Sequence, residues 1–245
     1  ELYNMKKVFV KTYGCQMNVY DSERIVESLS EKGFTESKEM KDSDVVVFNT
    51  CHIREKAAEK LYSDIGRLKE NSKTKKIVVA GCVAQAENQE IIKRMPDVDL
   101  VIGPQSYHKI PDLISKLDKK RKFVETDFPT ENKFNVLTKR KKNDKKPTAF
   151  LTIQEGCDKF CTFCVVPYTR GAEYSRTTME IIEEAKELIG LGISELTLLG
   201  QNVNAYHGQG YDKKTSNLAD LFYELSKLDG LKRLRYTTNH PNDVN

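Results

Sequence analysis

The chain has 245 residues, of which 38% are hydrophobic and 31% charged, with a formal net charge of +4. That composition belongs to a globular protein of one large or two ordinary domains and excludes a fibrous or wholly disordered chain. No apolar run approaches the ~18 residues of a membrane span and no apolar h-region marks a secretory signal, so a cytoplasmic protein without a membrane partner is expected.

The first half alternates strand and helix. Residues 6–13 predict a strand with Val8 and Val10 in period two. Asp21 is the expected N-cap of a helix carrying Ile25, Val26 and Leu29 and closed by Gly33. Val45, Val46, Val47 and Phe48 make the next strand, residues 54–69 a helix, and residues 77–80 a third strand followed by a helix over 84–95. A fourth strand over 99–102 ends at Gly103-Pro104. Continuous apolar strands separated by helices predict an α/β fold, a parallel sheet of Rossmann or flavodoxin-like type, over residues 1–127. Residues 128–147 are polar, basic and without periodicity, and read as a linker. The strand–helix pattern restarts over 148–245, with strands at 149–153, 195–199 and 231–236. Thr177 and Glu180 stand at capping-box spacing before a helix containing Ile181, Ile182, Ala185, Leu188 and Ile189. A further helix over 218–228 completes the series, which has too few strands for a closed (β/α) barrel.

The six cysteines fall into two groups. Without a secretion signal, metal or catalytic use is favoured over a disulfide framework. Cys15, Cys51 and Cys82 are far apart in sequence, yet each follows a predicted strand. In a parallel sheet those three points share the carboxyl edge, where open α/β sheets place their ligands. Gly14 and Gly81 precede two of them and suit tight turns. A shared metal site is the favoured reading. Three buried structural cysteines remain an alternative, as does zinc with His52 as a fourth ligand.

Cys157, Cys161 and Cys164 form C-x-x-x-C-x-x-C directly after a strand. Three thiolates on one short loop can hold three irons of a [4Fe–4S] cube and leave the fourth open to a small molecule. A structural zinc would require a fourth ligand, and the sequence has no histidine between His108 and His207. Basic residues concentrate at 119–122 and 139–146, where a solvated face and a nucleic-acid contact are both open readings.

The strand followed by C-x-x-x-C-x-aromatic-C resembles the signature of the radical S-adenosylmethionine superfamily. The longer matches are KTYGCQMN at 11–18, NTCHIREK at 49–56, GCVAQ at 81–85, CDKFCTFCVVPYTRG at 157–171 and LGQNVNAY at 199–206. Together they make the whole chain similar to the radical S-adenosylmethionine methylthiotransferases, and within them to the MiaB type. The run 53–56 and the stretch 165–168 favour that type over the ribosomal-protein and threonylcarbamoyladenosine branches. Departures are His52, where serine is usual, and Thr238-Asn239-His240-Pro241, where Thr-Ser-His-Pro is usual.

The resemblance implies two [4Fe–4S] clusters and S-adenosylmethionine as cofactors. Cys157, Cys161 and Cys164 would hold the radical cluster, and Cys15, Cys51 and Cys82 an auxiliary one. Phe163 would lie near the adenine of S-adenosylmethionine, with Gly200, Gln201 and Asn202 as further contacts. The 5′-deoxyadenosyl radical made from S-adenosylmethionine would act at carbon 2 of isopentenyladenosine beside a tRNA anticodon, adding a methylthio group. No side chain is expected as a catalytic acid or base. The partners implied are a tRNA anticodon loop, an electron donor and a source of sulfur or assembled clusters. Arg170, Arg176 and the basic run at 139–146 are candidate phosphate contacts. The family's barrel continues and a small β domain follows it, so the chain reads as an N-terminal fragment.

Overall fold

The computed structural model describes residues 6–52, 55–71, 74–117, 122–129, 131–137, 139–141 and 146–244. Parts of two expected features lie outside them: most of the basic runs (119–121 and 142–145) and residues 53–54 of the branch-distinguishing stretch. The chain divides into two compact units, Glu1–Thr138 and Lys139–Asn245, so the stretch read as a linker is split between them.

The first unit is built as β1 (Lys7–Thr12), α1 (Gln16–Glu31), β2 (Thr35–Glu36), β3 (Val45–Thr50), α2 (Glu55–Asn71), β4 (Lys76–Gly81), α3 (Cys82–Glu87), α4 (Gln89–Arg94), β5 (Leu100–Ile102), α5 (Ile110–Lys116) and β6 (Phe123–Glu125). Its six strands are parallel in the order β2-β1-β3-β4-β5-β6. This is the flavodoxin-like order with one added strand, and it changes direction between β1 and β3.

Every residue of β3 is buried, because the central strand is covered on both faces. Val46 and Phe48 pack with Leu61, Ile65 and Leu68 of α2 on one face. Val45 and Val47 pack with Ile25 and Leu29 of α1 and Ile110 and Ile114 of α5 on the other. The four expected strands are present. The short β2 and β6 were not expected, because two or three residues carry no readable period.

Two helix boundaries differ from expectation. Helix α1 has Cys15, not Asp21, at its N-cap, and Asp21 is buried inside the helix. The helix starts six residues earlier because the chain turns directly off β1 at Gly14 (φ +103°). Asp21 instead faces the fully buried Lys133, whose Nζ lies 3.7 Å from its carboxylate and donates to the Pro104 carbonyl at 3.0 Å. The helix expected over 84–95 is broken in two at Asn88 (φ +50°).

The second unit contains β7 (Thr148–Thr152), β8 (Gln154–Glu155), α6 (Val166–Arg170), β9 (Tyr174–Ser175), α7 (Thr178–Gly190), β10 (Glu195–Leu199), α8 (Leu218–Ser226) and β11 (Arg233–Tyr236). Parallel strands run in the order β11-β10-β7, and β8 pairs antiparallel with β9 as a separate ribbon. Leu151, Leu196 and Leu198 pack with Ile181, Ala185 and Leu188 of α7 and with Leu221 and Leu225 of α8. The outer strand β11 is largely exposed, and its Arg233 and Arg235 both reach Glu195 of β10 (2.9 and 3.1 Å).

No helix among the described residues is long and apolar enough to cross a membrane. The capping box at Thr177 and Glu180 is complete in both directions, and a second one, Asn217 with Asp220, starts α8. Replacing Thr177 by alanine removes an acceptor for the Glu180 amide and is expected to cost about 1 kcal/mol, read as a lower urea midpoint with unchanged slope.

Candidate metal centres

In the first unit, Cys15, Cys51 and Cys82 stand just past the carboxyl ends of β1, β3 and β4, three adjacent strands. Cys15 and Cys51 flank the point where the strand order changes direction, the usual ligand crevice of this architecture. Cys51 and Cys82 are buried and Cys15 is half-buried.

The loops approach closely. A Cβ on Gly14 would fall 2.2 Å from Cys51 Cβ and 2.8 Å from its Sγ, and Gly14 has a left-handed φ. Only glycine allows this turn to lie against Cys51. Gly81 (φ +91°) presses likewise on the Thr50 carbonyl. This cradle brings the chain beside Cys15 and Cys82 against the chain beside Cys51, and it fits a group ligated from all three loops.

No set of three or more His, Cys, Asp or Glu side chains among the described residues is arranged to hold one metal ion. A cubane carries its irons on separate corners, so its thiolates need not converge as the ligands of a single ion must. His52, considered as a zinc ligand, is half-buried, and its Nδ1 has no hydrogen-bond partner among the described residues.

In the second unit, Cys157, Cys161 and Cys164 occupy the loop between β8 and α6. Cys157 is buried and anchored by its N–H to the Gly171 carbonyl (3.2 Å), and the Cys164 N–H bonds the Cys161 carbonyl (2.9 Å). Burial pushes the Cys157 thiol up. Negative charge on Glu173, Cys164 and Cys161 adds to this, and a hydrogen bond from the Lys159 backbone N–H opposes it. The three thiols thus share one electrostatic neighbourhood. As thiolates they repel one another, and bound iron relieves that repulsion. The donor set fits an iron–sulfur cluster.

The loop is held by Gln154, which the sequence does not single out, together with the expected Gln201 and Asn202. Gln154 is fully buried, and its Oε1 accepts the N–H groups of Gln201 (2.8 Å) and Asn202 (3.1 Å). Its Nε2 donates to the Gly156 carbonyl (3.0 Å), and Gln201 Oε1 accepts the Gly156 N–H (2.6 Å). Gly200 has no room for a side chain, since a Cβ there would lie 2.5 Å from Gln154 Oε1. Asn202 accepts the His240 N–H (3.0 Å) and donates to Asp243 (2.7 Å), while Asp243 pairs with Lys159 (2.8 Å). His240 Nε2 lies 3.7 Å from Cys161 Sγ. The expected contacts Gly200, Gln201 and Asn202 therefore lie beside the cysteine loop, with side-chain atoms of Gln201 and Asn202 engaged in positioning neighbouring backbone. Phe163, in the same loop, is 93% exposed.

Two expected phosphate contacts are corrected. Arg170 is buried and paired with the buried Glu155. Arg176 is buried and bonds Glu184 (2.7 Å) and the Thr152 carbonyl (2.8 Å). Within the basic run, Arg140 is buried against the same Glu184 (3.1 Å). These arginines brace the unit and are not presented to a phosphate backbone.

Comparison with known proteins accords with this arrangement. Residues 151–243 match the radical SAM superfamily model, and residues 7–103 match the uncharacterized protein family UPF0004. A radical S-adenosylmethionine methyltransferase, TsrM, from Kitasatospora setae shares the fold at a TM-score of 0.55 and 12% identity, over 82% of this chain and 48% of that one. The second unit is thus of the radical SAM class.

The chain as a whole is similar to tRNA-2-methylthio-N(6)-dimethylallyladenosine synthases. It is 57% identical over 242 residues to the tRNA-2-methylthio-N(6)-dimethylallyladenosine synthase of Roseobacter denitrificans, covering 98% of this chain and 55% of that protein. The Bartonella quintana protein of the same name is 60% identical over 248 residues, covering 98% and 54%. The chain spans about half the length of the curated relatives it matches.

Replacing Arg170 by methionine leaves the Glu155 carboxylate buried without this partner, and is expected to cost roughly 3–5 kcal/mol in urea unfolding. Adding Glu155→Gln in the same chain should recover a large part of that loss.

Proposed function

We propose that this chain serves the methylthiolation of tRNA, at carbon 2 of N(6)-dimethylallyladenosine, through two three-cysteine iron–sulfur centres. The observation that carries the reading is the pairing of a three-thiol loop after β8 with a second set of three thiols at one sheet edge. On a [4Fe–4S] cube each set would leave one iron without a protein ligand. With S-adenosylmethionine at that open iron, the loop centre supplies radical chemistry suited to a carbon–hydrogen bond that no side-chain base can open.

The protein's own residues bind and orient. Cys157, Cys161 and Cys164 hold the loop centre, and Cys15, Cys51 and Cys82 the sheet-edge centre. Gln154 and Gln201 fix the loop against the end of β10 and would hold its thiols in place for the cluster. Gly200, Gln201, Asn202 and the exposed Phe163 border the space for S-adenosylmethionine, with Phe163 available to cover its adenine. The substrate adenine must leave the anticodon-loop stack to be reached, and Lys139 and Lys146 are exposed members of the basic run that can meet its phosphates. The reading requires an electron donor and a sulfur source as partners, and the cytoplasm as the compartment.

The test is iron and sulfide per chain after anaerobic reconstitution, with EPR, on the parent and on Cys157→Ala/Cys161→Ala/Cys164→Ala. About eight irons in the parent and about four in the triple variant are expected, with S-adenosylmethionine perturbing the EPR signal only in the parent. Zinc in both, with no EPR signal on reduction, would overturn the reading.

A further inference from the structure

The three cysteines of the sheet-edge centre come from loops with no sequence proximity, so something must fix their spacing. The β1–β3 ladder ends at the pair Thr12 and Asn49, and the β3–β4 ladder ends at Thr50 and Gly81. At the edge of those ladders, two fully buried side chains, Asn18 and Thr50, tie the strand ends together.

Asn18 Nδ2 donates to the Tyr13 carbonyl (2.9 Å) and to the Thr50 carbonyl (2.8 Å). Those carbonyls lie two residues before Cys15 and one before Cys51. Thr50 Oγ1 donates to the Ala80 carbonyl (2.6 Å) and accepts the Val83 N–H (3.2 Å), so it brackets Cys82 on both sides. Asn18 Oδ1 lies 3.6 Å from Cys15 Sγ. Asn49 Nδ2 secures the brace by donating to the Asn18 carbonyl (2.9 Å) and to Ser22 Oγ (2.9 Å). The chain of contacts therefore runs from loop to loop through two side chains, each link within two residues of a cysteine.

The residue types follow from the atoms they meet. Two carbonyls, those of Tyr13 and Thr50, require donors from Asn18, so it must present an amide NH₂; aspartate, of the same shape, would place an acceptor there. Thr50 must donate and accept at once, which a hydroxyl does and a methyl does not.

We propose that Asn18 and Thr50 are positioning residues of the sheet-edge centre, holding its three cysteine loops in register for metal. This rests on the reading that Cys15, Cys51 and Cys82 share one cluster. In the general case, groups that orient metal ligands without touching the metal alter affinity by about 10- to 100-fold when removed.

The experiment uses the whole chain with Cys157→Ala/Cys161→Ala/Cys164→Ala, so that only the sheet-edge centre reports. Thr50→Val, Asn18→Asp and the conservative Thr50→Ser are each reconstituted, and the rate of iron loss to a chelator is followed beside the EPR spectrum. Thr50→Val and Asn18→Asp should lose iron at least about tenfold faster, and Thr50→Ser should match the parent. The same substitutions in a chain with Cys15→Ala/Cys51→Ala/Cys82→Ala should leave the loop centre's signal unchanged. Loss rates and spectra indistinguishable from the parent's would overturn the proposal. So would parallel loss of the loop centre, which would show a general effect on folding. If the parent triple variant itself takes up no iron, the shared-cluster reading fails, and the proposal with it.

Discussion

Parallel strand pairing delivers the last residue of every strand to the same edge of a sheet, whatever the length of chain between strands. In this protein that geometric constraint carries cysteines from widely separated loops to adjacent positions past β1, β3 and β4. The helices that return the chain also cover both faces of the sheet, so burial of the apolar strands enforces the register. A one-residue slip of β3 would exchange Val46 and Phe48 with Val45 and Val47 between faces, and would move Cys51 out of line with its neighbours.

The two candidate centres represent different ways of bringing three thiols together. The loop centre has its cysteines within eight residues, and the buried Gln154 and the Gly171 carbonyl anchor the backbone beside Cys157. The sheet-edge centre is assembled from long-range contacts and depends on buried side-chain hydrogen bonds at the point where the backbone ladders stop. The first has its thiols close in sequence and draws only its anchors, such as Gln201 and Asp243, from distant residues, whereas the second draws the thiols themselves from three separate loops.

This contrast also explains what was legible in the sequence. Apolar runs such as 45–48 gave strands, Thr177 with Glu180 gave a helix start, and cysteines after strands gave their place in the fold. What stayed hidden were polar residues whose role depends on distant partners. Asp21 has the composition of a helix cap, yet it lies against buried Lys133. Arg170 and Arg176 read as surface cations, yet they are paired with Glu155 and Glu184 inside the second unit. Gln154, Asn18 and Thr50 carry no periodic or spacing signal. Asn18 did stand within the KTYGCQMN stretch, but nothing local indicated which carbonyls its amide would meet.

The carboxylate of Glu195 on β10 holds two guanidinium groups of the outer strand β11, Arg233 at 2.9 Å and Arg235 at 3.1 Å. Side chains therefore tie β11 to β10 beside the backbone ladder that pairs the two strands. Both arginines are more than half exposed, so concentrated salt weakens this tie and leaves the ladder to hold the strand.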